Sequence, residues 1–162
     1  MKRIESGGFI FEFHDVLDAF VFDETDKTKP TYHGATMLKA VDILVECEEH
    51  WYYIEIKNFH DPALYGQDSS EKHLREILKH KFRDTYLYRY AENKIAKPII
   101  YVCLLANLEN PLCTRMRKTL SNELPIGKPT SRWQFELAQS CIVVNIDRWN
   151  KNFPNWSVHP IQ

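Results

Sequence analysis

Two apolar-rich runs separated by a charged pair dominate the pattern of hydrophobic and polar positions along the chain. The runs are Val41–Cys47 and Trp51–Lys57, and the charged pair between them is Glu48–Glu49. Apolar and polar side chains alternate in the second run, which is the period of a half-buried β-strand. The pattern predicts a β-hairpin with the charged pair at its tip.

The register of this hairpin decides which side chains face each other. With the tip at Glu48–Glu49, Asp42 lies directly opposite Glu55, and Lys57 is next along the same face. Two directly opposed carboxylates repel each other, and a divalent cation between them would remove that cost. A three-residue loop would instead send the two carboxylates to opposite faces. We infer the first register, and its weak point is that Glu-Glu lacks the glycine or asparagine of favoured hairpin turns.

The first segment, Phe9–Phe22, fits two patterns. Its apolar residues form one helical stripe, but its first residues also alternate as in a strand. We favour a helix, and two short strands, Phe9–Phe13 and Ala19–Phe22, are the alternative. In the helix, Glu12 would be the acidic residue best placed to face the interior.

A long helix is predicted for Ser70–Glu92, with serine as its N-cap. Its apolar side chains form one stripe, and Lys81 falls inside that stripe. A lysine in such a place either extends its ammonium group to solvent or finds an anion. Lys81 is therefore either a lysine at the edge of the packed stretch or a cation directed at the carboxylates or at a bound phosphate.

Strands and helices follow in the second half of the chain. Pro98–Leu108 is predicted as a central strand buried on both faces. The pattern further predicts helices at Thr114–Glu123 and Arg132–Gln139, a last strand at Cys141–Asp147, and an aromatic tail at Arg148–Gln162 that packs back on the domain. Together these elements predict an α/β fold, a mixed β-sheet with a central antiparallel hairpin flanked by helices.

Length and composition indicate one globular domain, residues 1–162. The net charge of −1 provides no global field, so nucleic-acid binding would need a local basic patch. No apolar run is long enough to span a membrane, and no apolar signal segment opens the chain. We therefore expect no membrane partner and a cytoplasmic location.

The four cysteines show no C-x-x-C spacing, and most lie in apolar runs. We interpret them as buried free thiols in a reducing compartment. A thiol catalyst made of Cys47 and His50 is the competing interpretation. It lacks an orienting third group, because both residues lie at the hairpin tip.

The segment Glu71–Lys97 is the most basic part of the chain, with eight lysines and arginines against four acidic residues. Tyr86, Tyr88 and Tyr90 are interleaved with these cations and could stack on bases. A second basic run begins at Arg115–Lys118. Such runs are either solvated helix faces or contacts for nucleic acid.

Asp42, followed after twelve residues by Glu55-Ile56-Lys57, resembles the D…(D/E)-x-K signature of the PD-(D/E)XK nuclease-like superfamily. The proline of the superfamily name is absent, since Val41 precedes Asp42. The resemblance covers about residues 9–108. It implies the restriction endonuclease-like αβββαβ core. The third leading strand of that core is expected either within residues 31–38 or in a longer Asp42 strand.

The resemblance implies metal-dependent hydrolysis of phosphodiester bonds, as in a DNA endonuclease, with DNA expected rather than RNA. Asp42, Glu55 and the main-chain carbonyl of Ile56 would hold Mg²⁺ or Mn²⁺. Lys57 would orient or deprotonate the attacking water and offset negative charge in the transition state.

Two further residues are placed in the site by the same resemblance. Lys81 is similar to the cation that superfamily members carry on the helix after E-x-K, and Glu12 to the acidic residue on their first helix. The competing class is a catalytically inactive nuclease-fold module that binds nucleic acid or a protein partner. A structural alternative leaves the carboxylates and Lys57 as solvent-facing charges. Because no separate DNA-binding domain is evident, we expect a homodimer or a subunit of a larger complex.

Overall fold

In the computed structural model, the described part of the chain forms eight strands and three helices, arranged as two sheets. The description covers residues 1–59, 61–62, 65 and 68–162, with only the backbone for residues 68 and 69. The strands are β1 (Lys2–Ser6), β2 (Phe9–Phe13), β3 (Asp18–Val21), β4 (Ile43–Glu46), β5 (Trp51–Lys57), β6 (Ile99–Leu105), β7 (Ser140–Val144) and β8 (Trp156–Pro160). The helices are α1 (Asp68–Ala91), α2 (Asn110–Glu123) and α3 (Ile146–Asn152).

A five-stranded mixed sheet, in the order β3-β4-β5-β6-β7, forms the centre of the molecule. The strands β3, β4 and β5 are antiparallel, and β5, β6 and β7 are parallel. The predicted hairpin is β4 and β5, and its predicted register is confirmed, since Ile43 lies opposite Ile54 and Glu46 opposite Trp51. The central position predicted for the Pro98–Leu108 segment is also confirmed by β6.

Helices α1 and α2 cover one face of this sheet. Leu78 and Phe82 of α1 and Met116 of α2 are buried there against Tyr53 and Tyr101. The predicted apolar stripe of α1 is the surface that makes this contact. Each fully buried side chain of this size contributes about 1.5–3 kcal/mol relative to an exposed one.

The opposite face packs against a second sheet, in the order β1-β2-β8, and against α3. Phe11 and Phe13 of β2 and Trp149 of α3 are fully buried there, in one cluster with Ile54 and Val102. The five-stranded sheet is therefore the middle layer of three and is covered on both faces. The expected packing of the aromatic tail back on the domain is confirmed by α3 and β8.

The helix expected at Phe9–Phe22 is wrong, and the alternative of two strands is correct. This segment forms β2 and β3, with Asp15 at a φ of 57° between them. In β2 the buried residues alternate with less buried ones, and β1 and β8 hydrogen-bond to its two sides. Pairing with strands from other parts of the chain decides between two periods that the segment satisfies equally well.

The turn between β1 and β2 rests on the middle layer. It contains Gly7 and Gly8, at φ values of +59° and +85°. A Cβ atom on Gly7 would lie 2.7 Å from Cγ2 of Ile56, which is closer than carbon atoms approach. Glycine is therefore needed there both for its backbone conformation and for the close contact with β5.

Three further expectations differ from the structure. Residues 31–38 form no strand, and β3 is the third antiparallel strand instead. The helix expected at Arg132–Gln139 is wrong: the segment is irregular, and Ala138, its only buried residue, bridges to Ile126. One buried residue provides too little apolar surface to hold a helix in place. The last strand ends at Val144, because Asn145 accepts from the amide of Arg148 and caps α3.

Candidate active site

Two acidic residues meet where β4 begins and β5 ends. Glu55 lies on β5 and is 1% exposed. Asp42 directly precedes β4 and, with the register continued by one residue, lies opposite Glu55. The amide of Ile56 donates a hydrogen bond of 2.7 Å to Oδ2 of Asp42, which holds this carboxylate against β5. The confirmed register thus brings together the two carboxylates, which have twelve residues between them in the sequence.

Two lysines reach the buried carboxylate of Glu55. Nζ of Lys57 lies 2.9 Å from Oε1, and Nζ of Lys81 lies 3.6 Å from Oε2. The Lys81 ammonium also donates a hydrogen bond of 2.7 Å to the carbonyl oxygen of Ala40 and lies 3.6 Å from Oδ2 of Asp23. Lys81 therefore turns inward to an anion, which was one of the two possibilities left open by its position on the helix.

The Glu55 carboxylate is poorly satisfied despite these cations. Both of its oxygens are buried; Lys57 lies within hydrogen-bonding distance of Oε1, whereas Lys81 lies beyond that distance from Oε2. Burial, and then the nearby charge of Asp42, raise the pKa of Glu55 to about 7, against the opposing effect of the two lysines. Burial also raises the pKa of Asp42. Both carboxylates are thus held in an environment that disfavours their charge.

The Lys57 ammonium is held in its charged form. Burial acts to lower its pKa, but the adjacent Glu55 carboxylate outweighs that effect and raises it above the ordinary value. A lysine with a raised pKa is a hydrogen-bond donor and a positive charge at neutral pH. This favours the charge-offsetting role expected of Lys57 over its alternative role as a base.

The donor set fits a divalent cation that also uses oxygens from outside the protein. Two carboxylates in opposed positions suit a hard cation, and Mg²⁺ is commonly held by one or two carboxylates together with water and substrate phosphates. Within the described residues, no group of three or more His, Cys, Asp or Glu side chains is placed to hold a metal ion. A cation here would therefore bind through Asp42, Glu55 and main-chain or substrate oxygens.

Sequence reasoning missed two groups at this site. Asp23 follows β3 and pairs with Lys81, and Ala40 supplies the carbonyl to which Lys81 donates. The position of Asp23, at the end of an apolar run and the start of a polar loop, was a usable signal once that run was assigned to a strand. The contribution of Ala40 is a main-chain atom and leaves no trace in the sequence.

Glu12 lies outside this cluster. On β2 it alternates with Phe11 and Phe13, which face the middle layer, so its side chain points to the opposite face. There its Oε2 accepts a hydrogen bond of 3.2 Å from the hydroxyl of Ser157. The inward orientation expected for Glu12 depended on the helix and is wrong together with it. For Ile56, the contact that the structure gives is the amide bond to Asp42, and metal binding by its carbonyl stays a prediction.

The arrangement at the hairpin tip does not favour a thiol nucleophile. Burial raises the pKa of Cys47, which disfavours the thiolate that such chemistry needs. The ring of His50 bonds to the amide oxygen of Gln139 at 2.8 Å. All four cysteines are free, and Cys103, Cys113 and Cys141 are buried.

Much of the charge in the basic segment Glu71–Lys97 is neutralised within the protein. Lys79 and Arg75 bind Glu123 of α2, and Arg89 is buried, with Glu92 as its ion-pair partner and the Trp51 ring 4.4 Å away. The Arg115 guanidinium makes two bonds to Glu71 in the same way. The contacts with Glu123 and Glu71 join α1 to α2, and all of the ion pairs reduce the positive field that the sequence predicts for this segment.

Comparison of the chain with models of protein families, with curated proteins and with solved structures finds no match. Among the described residues, no helix has the length and apolar character to cross a bilayer. The case for a function therefore depends on the geometry of the candidate site and on the resemblance of its residues to a known signature.

Proposed function

We propose that this chain is a metal-dependent nuclease of the PD-(D/E)XK nuclease-like superfamily, which hydrolyses phosphodiester bonds, with DNA as the expected substrate. The observation that carries the proposal is the meeting of Asp42 and Glu55 across β4 and β5, with Lys57 and Lys81 at Glu55. Buried carboxylates with raised pKa values and specific charged partners are typical of functional sites.

The order of elements around the site supports the same proposal. Three antiparallel strands, a long helix and a parallel strand follow each other as β3-β4-β5-α1-β6, an order that is compatible with the βββαβ part of the proposed superfamily core. In the described residues, the strands β1 and β2 precede β3 at the place where that core would have its first helix. The role carried over to Glu12 from that helix is therefore not part of the proposal.

Each residue of the site has its own role in the proposed hydrolysis of phosphodiester bonds. Asp42 and Glu55, with the Ile56 carbonyl, would hold Mg²⁺ or Mn²⁺, which supplies positive charge at the phosphate and lowers the pKa of a water molecule. Lys57 donates hydrogen bonds to phosphate oxygens and offsets the charge that develops on them.

Lys81 acts as a positioning residue. It ties Glu55 on β5 to the Ala40 carbonyl ahead of β4, so that the two acidic residues keep their separation.

The test is a cleavage assay on plasmid and single-stranded DNA with Mg²⁺ or Mn²⁺. We expect Glu55→Gln and Lys57→Ala to reduce the cleavage rate by at least about 100-fold, because each removes charge that acts on the phosphate or its cation. Glu12→Gln and Lys94→Ala are the matched controls, since they remove an acid and a lysine away from the site, and both should cleave like wild type.

Two results would contradict this assignment. Cleavage that survives both site substitutions would show that other residues catalyse the reaction. DNA binding by the wild-type protein without cleavage under either metal would favour the inactive binding module instead.

A further inference from the structure

A second polar surface lies at the far edge of the five-stranded sheet. A groove of about 440 Å³ runs between α2 and α3 over the outer strand β7. Its floor is apolar and consists of Val143, Val144 and Phe153, with Ile142 beside them. Its walls carry Arg117 from α2 and Lys151 from α3 among other polar side chains.

The charge of this groove is entirely positive. Arg117, Arg148 and Lys151 line it, and no acidic residue does. Arg148 donates a hydrogen bond of 2.9 Å to the hydroxyl of Thr114, which fixes its guanidinium on the wall. Arg117 and Lys151 are exposed and make no ion pair with the described residues, in contrast to the neutralised cations of α1.

The position of the groove relates it to the candidate active site. Glu55 on β5 pairs with Cys103 on β6, which in turn pairs with Val143 on β7. Glu55 and the groove floor are therefore at the same level of the sheet and two strand spacings apart, about 10 Å. Because these three strands are parallel, the groove and the site also lie at the same end of the sheet.

We propose that this groove binds the phosphate backbone of a nucleic-acid strand and holds it across the edge of the sheet while the site acts on it. The proposal rests on the proposed nuclease function for its choice of ligand. Three unopposed cations suit successive phosphates, and the apolar floor suits the sugar and base faces between them. The straight-line separation corresponds to roughly three nucleotides at about 3.4 Å of rise each. Because Cys103 between the two is buried, a strand would pass over the carboxyl ends of the parallel strands.

The experiment measures binding apart from cleavage. The full-length protein is titrated into a short fluorescein-labelled single-stranded DNA in EDTA, and anisotropy is recorded over a range of NaCl concentrations. The groove variant is Arg117→Gln with Lys151→Gln. The matched control is Arg83→Gln with Lys94→Gln, which removes the same charge from two exposed positions outside the groove. Unfolding temperatures of all proteins are compared to establish that they are folded.

We expect the groove variant to bind at least about tenfold more weakly at low salt. We also expect the slope of log K against log salt to become shallower by about 1.4, since each lost contact with single-stranded DNA removes about 0.7. The control should keep the wild-type slope. Lys151→Glu alone, which reverses one charge, should weaken binding further than Lys151→Gln.

Three outcomes would overturn the groove assignment. Equal losses in groove and control variants would indicate attraction to net charge alone, and unchanged binding in the groove variant would place the DNA elsewhere. Displacement of DNA by polyglutamate at matched charge would make an acidic protein the ligand.

The two proposals fail separately in these experiments. A protein that cleaves DNA but binds it independently of the groove residues keeps the nuclease function and loses the groove. A protein that binds DNA through the groove residues but does not cleave it keeps the groove and loses the nuclease function.

Discussion

At the scale of single residues, the central feature is a buried carboxylate whose close polar partners are two lysines. Lys57 lies 2.9 Å and Lys81 3.6 Å from the oxygens of Glu55, yet burial raises its pKa to about 7. An ionised side chain in this state costs folding free energy. A site that accepts this cost is typical of a position kept for binding or catalysis.

The raised pKa predicts how stability depends on pH. With an ordinary pKa of 4.5 and a folded value of about 7, the neutral carboxyl stabilises the fold fully below about pH 4.5, and this contribution is lost as pH rises through about 7. Relative to Glu55→Gln, which stays neutral, wild type should lose up to about 3 kcal/mol of unfolding free energy between about pH 5 and pH 8. Urea denaturation over this range measures the difference.

Addition of Mg²⁺ provides the second arm of this measurement. Because a cation needs the ionised carboxylate, Mg²⁺ should raise the Tm of wild type above about pH 7 and leave that of Glu55→Gln unchanged. Glu12→Gln, which removes a carboxylate outside the site, should respond to Mg²⁺ like wild type. If the unfolding free energies of wild type and Glu55→Gln changed with pH in parallel, this would contradict the burial of an ionisable group at this position.

At the scale of elements, the site depends on how α1 holds the segment that leads into β4. The Thr85 hydroxyl accepts a hydrogen bond of 3.0 Å from the amide of Val41, and Lys81, one turn earlier, donates to Ala40. Both contacts involve the residues directly before Asp42. Helix α1 therefore determines where this carboxylate stands relative to β5.

Substitution of Thr85 by valine tests this dependence. The change keeps the shape of the fully buried side chain but leaves the Val41 amide without its acceptor, which should cost about 1–3 kcal/mol of unfolding free energy. It should also reduce the increase in Tm produced by Mg²⁺, because Asp42 is no longer fixed. Denaturation curves and thermal shifts measure both effects.

Thr119→Val is the matched control. Its hydroxyl bonds to the Arg115 carbonyl within the surface of α2, so the loss should stay within about 0.5 kcal/mol. A Thr85→Val protein as stable as this control would mean that the helix does not hold the segment.

The sequence was sufficient for the elements whose signals are local. Alternation along β5 and a short charged tip predicted the register of the hairpin. The position of Lys81 within an apolar stripe left two possibilities, and the contacts of its ammonium group with Glu55 and Ala40 decide between them. The choice between helix and strands at Phe9–Phe22 could not be made locally, because the aromatic residues there satisfy both periods. It is decided by β8, whose residue Ser157 bonds to Glu12 across 145 positions of the chain.

The groove was equally inaccessible from the sequence. Its cations come from two helices, and Arg117 is 31 positions from Arg148, whose partner Thr114 is on the other wall. Only the packing of α2 and α3 around β7 brings them together. Charge runs in the sequence pointed mainly to α1, where the structure shows most of the cations paired with acidic side chains. The second run, Arg115–Lys118, contains Arg117 of the groove but gave no sign of Arg148 and Lys151.

At the scale of the whole molecule, the five-stranded sheet has a hydrophobic core on each face, and the three-stranded sheet contributes to one of them. Phe11 of β2, Ile54 of β5 and Trp149 of α3 belong to the same buried cluster. The first and last strands of the chain, β1 and β8, both pair with β2. The three layers should therefore unfold as a single cooperative unit.

Phe11→Ala tests this cooperativity. Removal of a fully buried ring should cost about 3–5 kcal/mol, because the contacts are lost and a cavity remains. Hydrogen exchange should accelerate together for amides of β2 and of β5, although only β2 carries the substitution. Acceleration confined to the three-stranded sheet would show that the layers open independently.

The contact between Gly7 and Ile56 links the first turn of the chain to the candidate site. One added methyl group in the first turn would press on the residue that separates Glu55 from Lys57 and whose amide holds Asp42. The positions of both carboxylates thus depend on a turn that contacts neither of them. A bulky side chain or a bound molecule at this turn would displace Ile56 from the opposite face of the sheet and disturb the hydrogen bond that holds Asp42.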